Sequence, residues 1–192
     1  MPRVSRQQTE LNRERILESA ARLFREQGFR TPSVADLMQA AGLTHGGFYG
    51  HFDSKDDLAV QACEHAFAQS QKRWQERREH DGDPATARRT IVQAYLSAAH
   101  RDNPGDSCPV SALVGEMAHA QSHSPLQQQY VNGLEQLLAL MTTTDAGIEP
   151  AAARREALTQ YALLVGALSL ARATRGTALS DELLEAARLA SV

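Results

Sequence analysis

Val34-Ala-Asp-Leu37-Met-Gln-Ala-Ala41-Gly42-Leu43-Thr44-His45-Gly46-Gly47-Phe48-Tyr49-Gly50-His51-Phe52-Asp-Ser54-Lys55-Asp-Asp-Leu58 is the stretch on which the fold turns. Ser33, just before it, can cap a short helix over 34–41, and Gly42 supplies the left-handed residue that a tight turn favours. Thr44 can cap a second segment running to about His51. Ser54 opens a long helix with Asp56 and Asp57 in its first turn, where the helix dipole favours acids. Two short helices joined by a glycine turn predict a helix-turn-helix. Its inner face is Val34, Leu37, Ala41, Leu43 and Phe48. These residues pack on Leu17, Leu23 and Phe24 of a preceding helix, which Gly28 ends.

The outer face is unusual for a structural helix. It presents Thr44, His45, Gly46, Gly47, Tyr49, Gly50 and His51. Glycines inside a helix cost about 1 kcal/mol each relative to alanine. A close approach of the backbone to base edges in a DNA major groove accounts for them. Ser33 and Thr44 stand at helix N-termini, where hydroxyls and free N–H groups suit phosphate. Tyr49 and His51 can donate to phosphate, and Lys55 can neutralise one.

The same run resembles the DNA-binding signature of TetR-family transcriptional regulators. It carries the Ala-Gly turn, the Ser/Thr cap, glycine, an aromatic-Tyr pair, His-Phe, and Lys followed by acids and Leu. With the preceding helix, the likeness spans about residues 10–60. It implies phosphate contacts from Ser33, Thr44, Tyr49, His51 and Lys55, and base-edge or close-approach roles for His45, Gly46 and Gly47. His45-Gly46-Gly47 offers fewer long side chains than many members carry there, and Ala35 offers none, so DNA shape and methyl contacts carry more of the specificity. Arg3 and Arg6 either add phosphate or minor-groove contacts or belong to a disordered tail.

Composition alone points away from nucleic acid. The 192 residues carry 20 Lys+Arg against 23 Asp+Glu, a net charge of −3. Splitting the chain reverses that reading for its first part: residues 1–52 hold seven Arg and five acids, so +2, and residues 53–192 are −5. Domains over 1–56 and 57–192 are expected, the first for DNA and the second for ligand binding and dimerisation. The apolar pattern is helical throughout, with no sustained strand alternation, so the fold class is all-α with about nine helices. Helices are expected from Pro84 to near Arg101, from Pro109, from Pro125 to about Thr143, from 149 to 174, and from 180 to 189. The run Tyr161–Arg172 is apolar nearly all round. The small residues Ala157, Gly166, Ala167 and Ala171 allow a close helix, so helices about 149–174 and 180–190 are expected to form a homodimer.

A pocket for a small-molecule effector is expected among the middle helices. The candidate lining is Phe67, Trp74, Tyr95, Cys108, Leu113, Met117, Tyr130 and Leu134, with Leu137 beside them; for each taken alone, ordinary core packing is the plainer role. Cys108 falls at a helix N-terminus, which lowers a thiol pKa, and Gly105-x-x-Cys108-Pro109 is similar to a stretch in one TetR subgroup. A redox or electrophile sensor is the alternative to a simple effector pocket, and nearby Asp106 opposes a thiolate. His119 and His123 have the spacing of two ligands on one helix face, but a solvated helix end is the plainer reading, and no metal or other cofactor is expected. No nucleophile triad, phosphate loop or cofactor fingerprint is present, so an enzyme is not expected. Two cysteines, no apolar run near the ~20 residues of a membrane span and no signal-like N-terminus fit a cytoplasmic protein. The expected function is a repressor released from a palindromic operator in double-stranded DNA when a small molecule binds.

Overall fold

The computed structural model describes residues 6–142 and 149–191. In chain order it has α1 (Arg6–Gln27), α2 (Val34–Ala40), a 3-10 segment (His45–Gly50), α3 (Lys55–Asp81), α4 (Pro84–Tyr95) and α5 (Ala98–Asp102). A 3-10 turn (Pro104–Asp106) leads to α6 (Pro109–Ala118), α7 (Pro125–Met141), α8 (Pro150–Ala173) and α9 (Ala178–Ala190). Among the described residues there is no strand, and the all-α expectation holds. No helix among them is long and apolar enough to cross a membrane. Arg3 and Thr143 lie outside the described residues, and Arg6 is the first residue of α1.

The sequence punctuation explains most boundaries. Pro84, Pro109, Pro125 and Pro150 each open a helix, where the missing N–H costs no bond. Ser33, Ser54, Asp83, Ser97 and Ser124 each accept a hydrogen bond from an otherwise orphaned amide in the first turn. Gly42 has φ +69° in the helix-turn-helix turn, as its place between two helices requires.

Two segments depart from the helix pattern. The segment after Thr44 is a 3-10 helix, with Gly47 N donating to Thr44 O and His51 N to Phe48 O, and Thr44 makes no side-chain cap bond. Three glycines in six residues do not hold an α-helix, and the tighter i→i+3 pattern takes over. The helix expected to run to Arg101 breaks after Tyr95. There Ser97 Oγ donates to Ala94 O and accepts from His100 N, restarting the chain as α5.

The described residues build two apolar clusters. One joins α1, α2 and the 3-10 segment through Ile16, Leu17, Phe24, Leu37, Met38, Phe48 and Phe52. The other gathers Phe67, Trp74, Tyr95, Leu113, Tyr130, Leu137, Tyr161 and Leu168 from α3 to α8, with Leu184 from α9. α3 belongs to both: Leu58, Ala59, Ala62 and Ala66 face the first, and Cys63, Phe67 and Trp74 the second. α7 lies so close to α3 that a Cβ at Gly133 would overlap the Phe67 ring.

Candidate nucleic-acid interface and pocket

The surface built by α2, the 3-10 segment and the start of α3 brings together the residues singled out from the sequence. Thr44, His45, Gly46, Gly47 and Tyr49 are all exposed. Tyr49 is 71% exposed, its ring edge-on to the fully buried Phe48 at 5.2 Å, so the phenol is held out from a fixed base. A Cβ at Gly46 or Gly50 would meet nothing within 4 Å, and one at Gly47 would make only an ordinary 3.6 Å contact with Met38. None of these three has a positive φ. Neither packing nor backbone conformation within this chain calls for glycine there.

The remaining three residues are less free. Ser33 is tied into a capping box: its amide (2.8 Å) and hydroxyl (2.6 Å) both donate to Asp36 Oδ2, and Asp36 N donates back to Ser33 Oγ. These bonds hold the Asp36 carboxyl below its ordinary range. His51 is half-buried, with Nδ1 enclosed and unpartnered. Lys55 Nζ donates to Arg30 O at 3.1 Å, which leaves it donors to spare. Sequence reasoning missed Arg13 and Arg15. Arg13 lies over the Phe52 ring at 5.0 Å and bonds Gln61, and Arg15 reaches the Gly42 turn. Two residues apart on α1, they do not share a helix face, so their spacing gave no signal.

The candidate pocket residues divide. Phe67, Leu113 and Tyr130 are buried and Leu134 half-buried in the larger apolar cluster. Phe67 meets Tyr130 edge-on at 5.7 Å, and Tyr130 donates its hydroxyl to Val110 O. Trp74, Tyr95 and Cys108, by contrast, also line a cavity of about 310 Å³ with Ser70, Arg73, Arg77, Ser97, His100, Asn103 and Asp106. Met117 borders a separate open groove of about 1080 Å³, with Phe29, Arg30 and Lys55 on one side and Pro125 and Leu126 on the other.

At the smaller cavity, Cys108 Sγ is 3.2 Å from Tyr161 Oη, and the Tyr95 ring lies edge-on to His100 at 4.8 Å. His100 Nδ1 is 2.6 Å from Tyr95 O, and its Nε2 accepts from Cys108 N at 3.1 Å. These two partners select the neutral tautomer with the proton on Nδ1. Burial accordingly pushes the imidazole down to about 4, with the backbone bond opposing and Arg172, Arg73 and Arg77 adding to the drop. Burial also raises the phenols of Tyr95 and Tyr161. Cys63, on α3, is pushed up to about 12 by burial, an inert thiol.

His119 caps the end of α6, and His123 sits at φ +62° in the turn before α7, so the two do not share a helix face. Among the described residues no group of three or more His, Cys, Asp or Glu is placed to hold a metal.

Comparison with known proteins agrees with this geometry. Residues 16–62 match the model of "Bacterial regulatory proteins, tetR family". The HTH-type transcriptional regulator AcrR of Shigella flexneri is 41% identical over 58 residues, 30% of this chain and 27% of AcrR. The HTH-type transcriptional repressor DhaR of a Mycobacterium species is 26% identical over 106 residues, 55% of this chain and 52% of DhaR. The chain thus aligns with only a minor part of AcrR and about half of DhaR. The reduced form of Escherichia coli NemR shares the fold at TM-score 0.76 and 23% identity, covering 94% of each chain. A TetR regulator from Legionella pneumophila does so at TM-score 0.78 and 18% identity, covering 100% and 97%. Residues 16–62 are thus similar to the helix-turn-helix region of the tetR family of bacterial regulatory proteins, and the chain shares the fold of solved TetR regulators.

Proposed function

We propose that the chain is a homodimeric repressor that leaves a palindromic operator when a small molecule binds its C-terminal region, with the division near residues 56 and 57. The observation that carries the DNA half is the open glycine surface: Gly46 and Gly50 stand where a Cβ would touch nothing of this protein. The constraint on them therefore comes from outside, and a major groove is the fitting partner. Thr44, Tyr49 and Lys55 supply phosphate contacts around it, and His45 and Gly47 approach the bases. Ser33, tied to Asp36, and the half-buried His51 ring border this surface.

Dimerisation is supported by one face of α8 and α9. Leu158, Leu163 and Leu170 on α8, and Leu179 and Leu189 on α9, are exposed, and Gly166 opens onto free space. Ala157, Ala167 and Ala171 instead pack inside the chain, so only part of the small-residue stripe is available to a second copy. Two such chains would set their reading surfaces about 34–36 Å apart, one helical turn of DNA. The effector shifts the population toward a spacing that no longer fits both half-sites.

Cys108 favours a second reading, in which an electrophile adds to its sulfur. Its side chain lines the cavity beside the Tyr161 hydroxyl, and NemR, of similar fold, has a form described as reduced.

A selection of random duplex DNA on the purified chain, followed by gel shift, tests the proposal. A two-fold symmetric site with binding lost in Tyr49→Ala supports it; tight binding unaffected by Tyr49→Ala and Lys55→Ala refutes it. A mild electrophile that still releases DNA from Cys108→Ser removes the second reading.

A further inference from the structure

We propose that the cavity between α3, the end of α4 and α5 takes a small aromatic carboxylate, its anion held by Arg73 and Arg77 and its ring lying against Trp74 and Tyr95. The proposal rests on reading the C-terminal region as the effector domain, and it names the ligand class. Four guanidiniums surround this cavity: Arg73 and Arg77 in its lining, Arg25 and Arg172 behind its wall. Among the described residues none of the four makes an ion pair. Arg172 donates to the carbonyls of His100 (3.0 Å) and Arg101 (3.2 Å) and to the hydroxyls of Ser107 and Ser111. Arg73 has Ser70 Oγ at 3.0 Å. Arg25, 5% exposed, has only long contacts to Ser107 O and Gln69 Oε1, and its Nε has no partner.

No carboxylate is in ion-pair contact with this cluster; Asp106, Glu26 and Glu76 act on Arg25 and Arg73 only from farther off. The only carboxylate in the lining, Asp106, is exposed at the rim and occupied by Asn103 Nδ2 at 3.0 Å. His100 adds no charge, because both its ring nitrogens are committed to backbone partners. Burial, with Arg73 next, pulls Arg25 down to about 10, the expected response of a cation enclosed beside another cation. A carboxylate entering the cavity supplies the missing charge in a partly desolvated place, where charge-assisted bonds are strong.

The rest of the lining selects the remainder of the molecule. The Tyr95 hydroxyl, on a side chain 3% exposed, lies near Cys108 and Ser111 but makes no hydrogen bond of good geometry, so it is a donor without an acceptor. Trp74 and Tyr95 offer ring surface at the floor, and about 310 Å³ limits the ligand to a small one. A route to the DNA-binding end is built in. The Pro104–Asp106 turn presses on α1 so closely that a Cβ at Gly105 would overlap Glu26 and Arg22, and Arg25 on the same helix reaches Ser107.

Benzoate titrated into the full chain by calorimetry, with neutral benzamide beside it, is the test. Benzoate is expected to bind once per chain and benzamide at least about tenfold more weakly. Arg77→Gln, at a half-buried position, and Tyr95→Phe, which keeps the ring, are each expected to weaken benzoate severalfold while circular dichroism and Tm stay unchanged. Equal binding of benzamide, benzoate binding that neither variant affects, or no binding up to about 10 mM overturns the proposal. The selected DNA duplex is tested in parallel on unliganded protein. A chain that binds the duplex but takes up no benzoate sinks the ligand proposal alone, and a chain that takes up benzoate but binds no duplex sinks the regulator reading while leaving the benzoate result standing.

Discussion

The reading surface and the cavity both offer groups for anions, yet they keep them in opposite ways. At the surface Thr44, His45 and Tyr49 stand exposed beside open glycines, and half-buried Lys55 is anchored by one carbonyl. Around the cavity the cations are partly or wholly buried, fixed by carbonyls and hydroxyls, and unpaired. The first arrangement suits a polyanion met in water, where binding draws on counterion release and carries a steep salt dependence. The second suits a single small anion, where affinity comes from relieving a desolvated charge and depends little on salt. The two proposed sites would then be separable by ionic strength.

The largest expected effect tests whether the reading surface depends on its own core. Phe48→Ala empties a fully buried site beneath Tyr49 and should cost about 3–5 kcal/mol, read as the shift in urea midpoint. DNA binding should fall with it, while benzoate binding by the fraction still folded stays unchanged.

Next is the pH response of the cavity wall. His100 is held near 4, below its ordinary 6.5, so the neutral form belongs to the fold. The unfolded chain takes up the proton first. Stability is therefore complete above about 6.5 and lost as pH falls toward 4, by an amount on the order of 2–3 kcal/mol. His100→Gln should flatten that fall in urea melts at pH 7, 5.5 and 4.5. An equally steep fall in the variant would assign it to other groups.

Gly46→Ala separates stability from function. With open space at its Cβ, it should leave Tm unchanged or slightly higher, yet lower DNA affinity about tenfold in gel shifts. A variant that binds as well as wild type would show that the groove does not approach Gly46. The smallest effect is electrostatic: Lys55→Ala should reduce the slope of log affinity against log salt by about 1. The benzoate titration should show no such change.

Those tests also mark what was legible beforehand. The helix ends were, because Ser33, Gly42, Ser54 and the four opening prolines satisfy or remove terminal backbone groups by local chemistry. The exposed face from Thr44 to Tyr49 was legible for the same reason. The 3-10 form of that segment was not, since glycine weakens an α-helix without naming its replacement. The break at Ser97 was hidden because serine is tolerated inside helices, and only its bonds to Ala94 and His100 make it a boundary. The cavity was out of reach altogether. Its guanidiniums come from positions 25, 73, 77 and 172, and no periodicity within one helix brings those together. Trp74 and Tyr95 were found only because they also look like core, and Cys108 because it precedes Pro109 at a helix start.

α3 has mechanical proportions worth following. Phe67, clamped where Gly133 lets α7 press on it, stands 12 residues from Lys55 and six from Arg73, about 18 Å and about 9 Å along the axis. Turning rigidly about that clamp, the helix is a lever with unequal arms. A displacement at Arg73 would reappear about twice as large at Lys55, in the opposite direction, so a ligand that moves its anchor by half an ångström would move the DNA-facing end by about one.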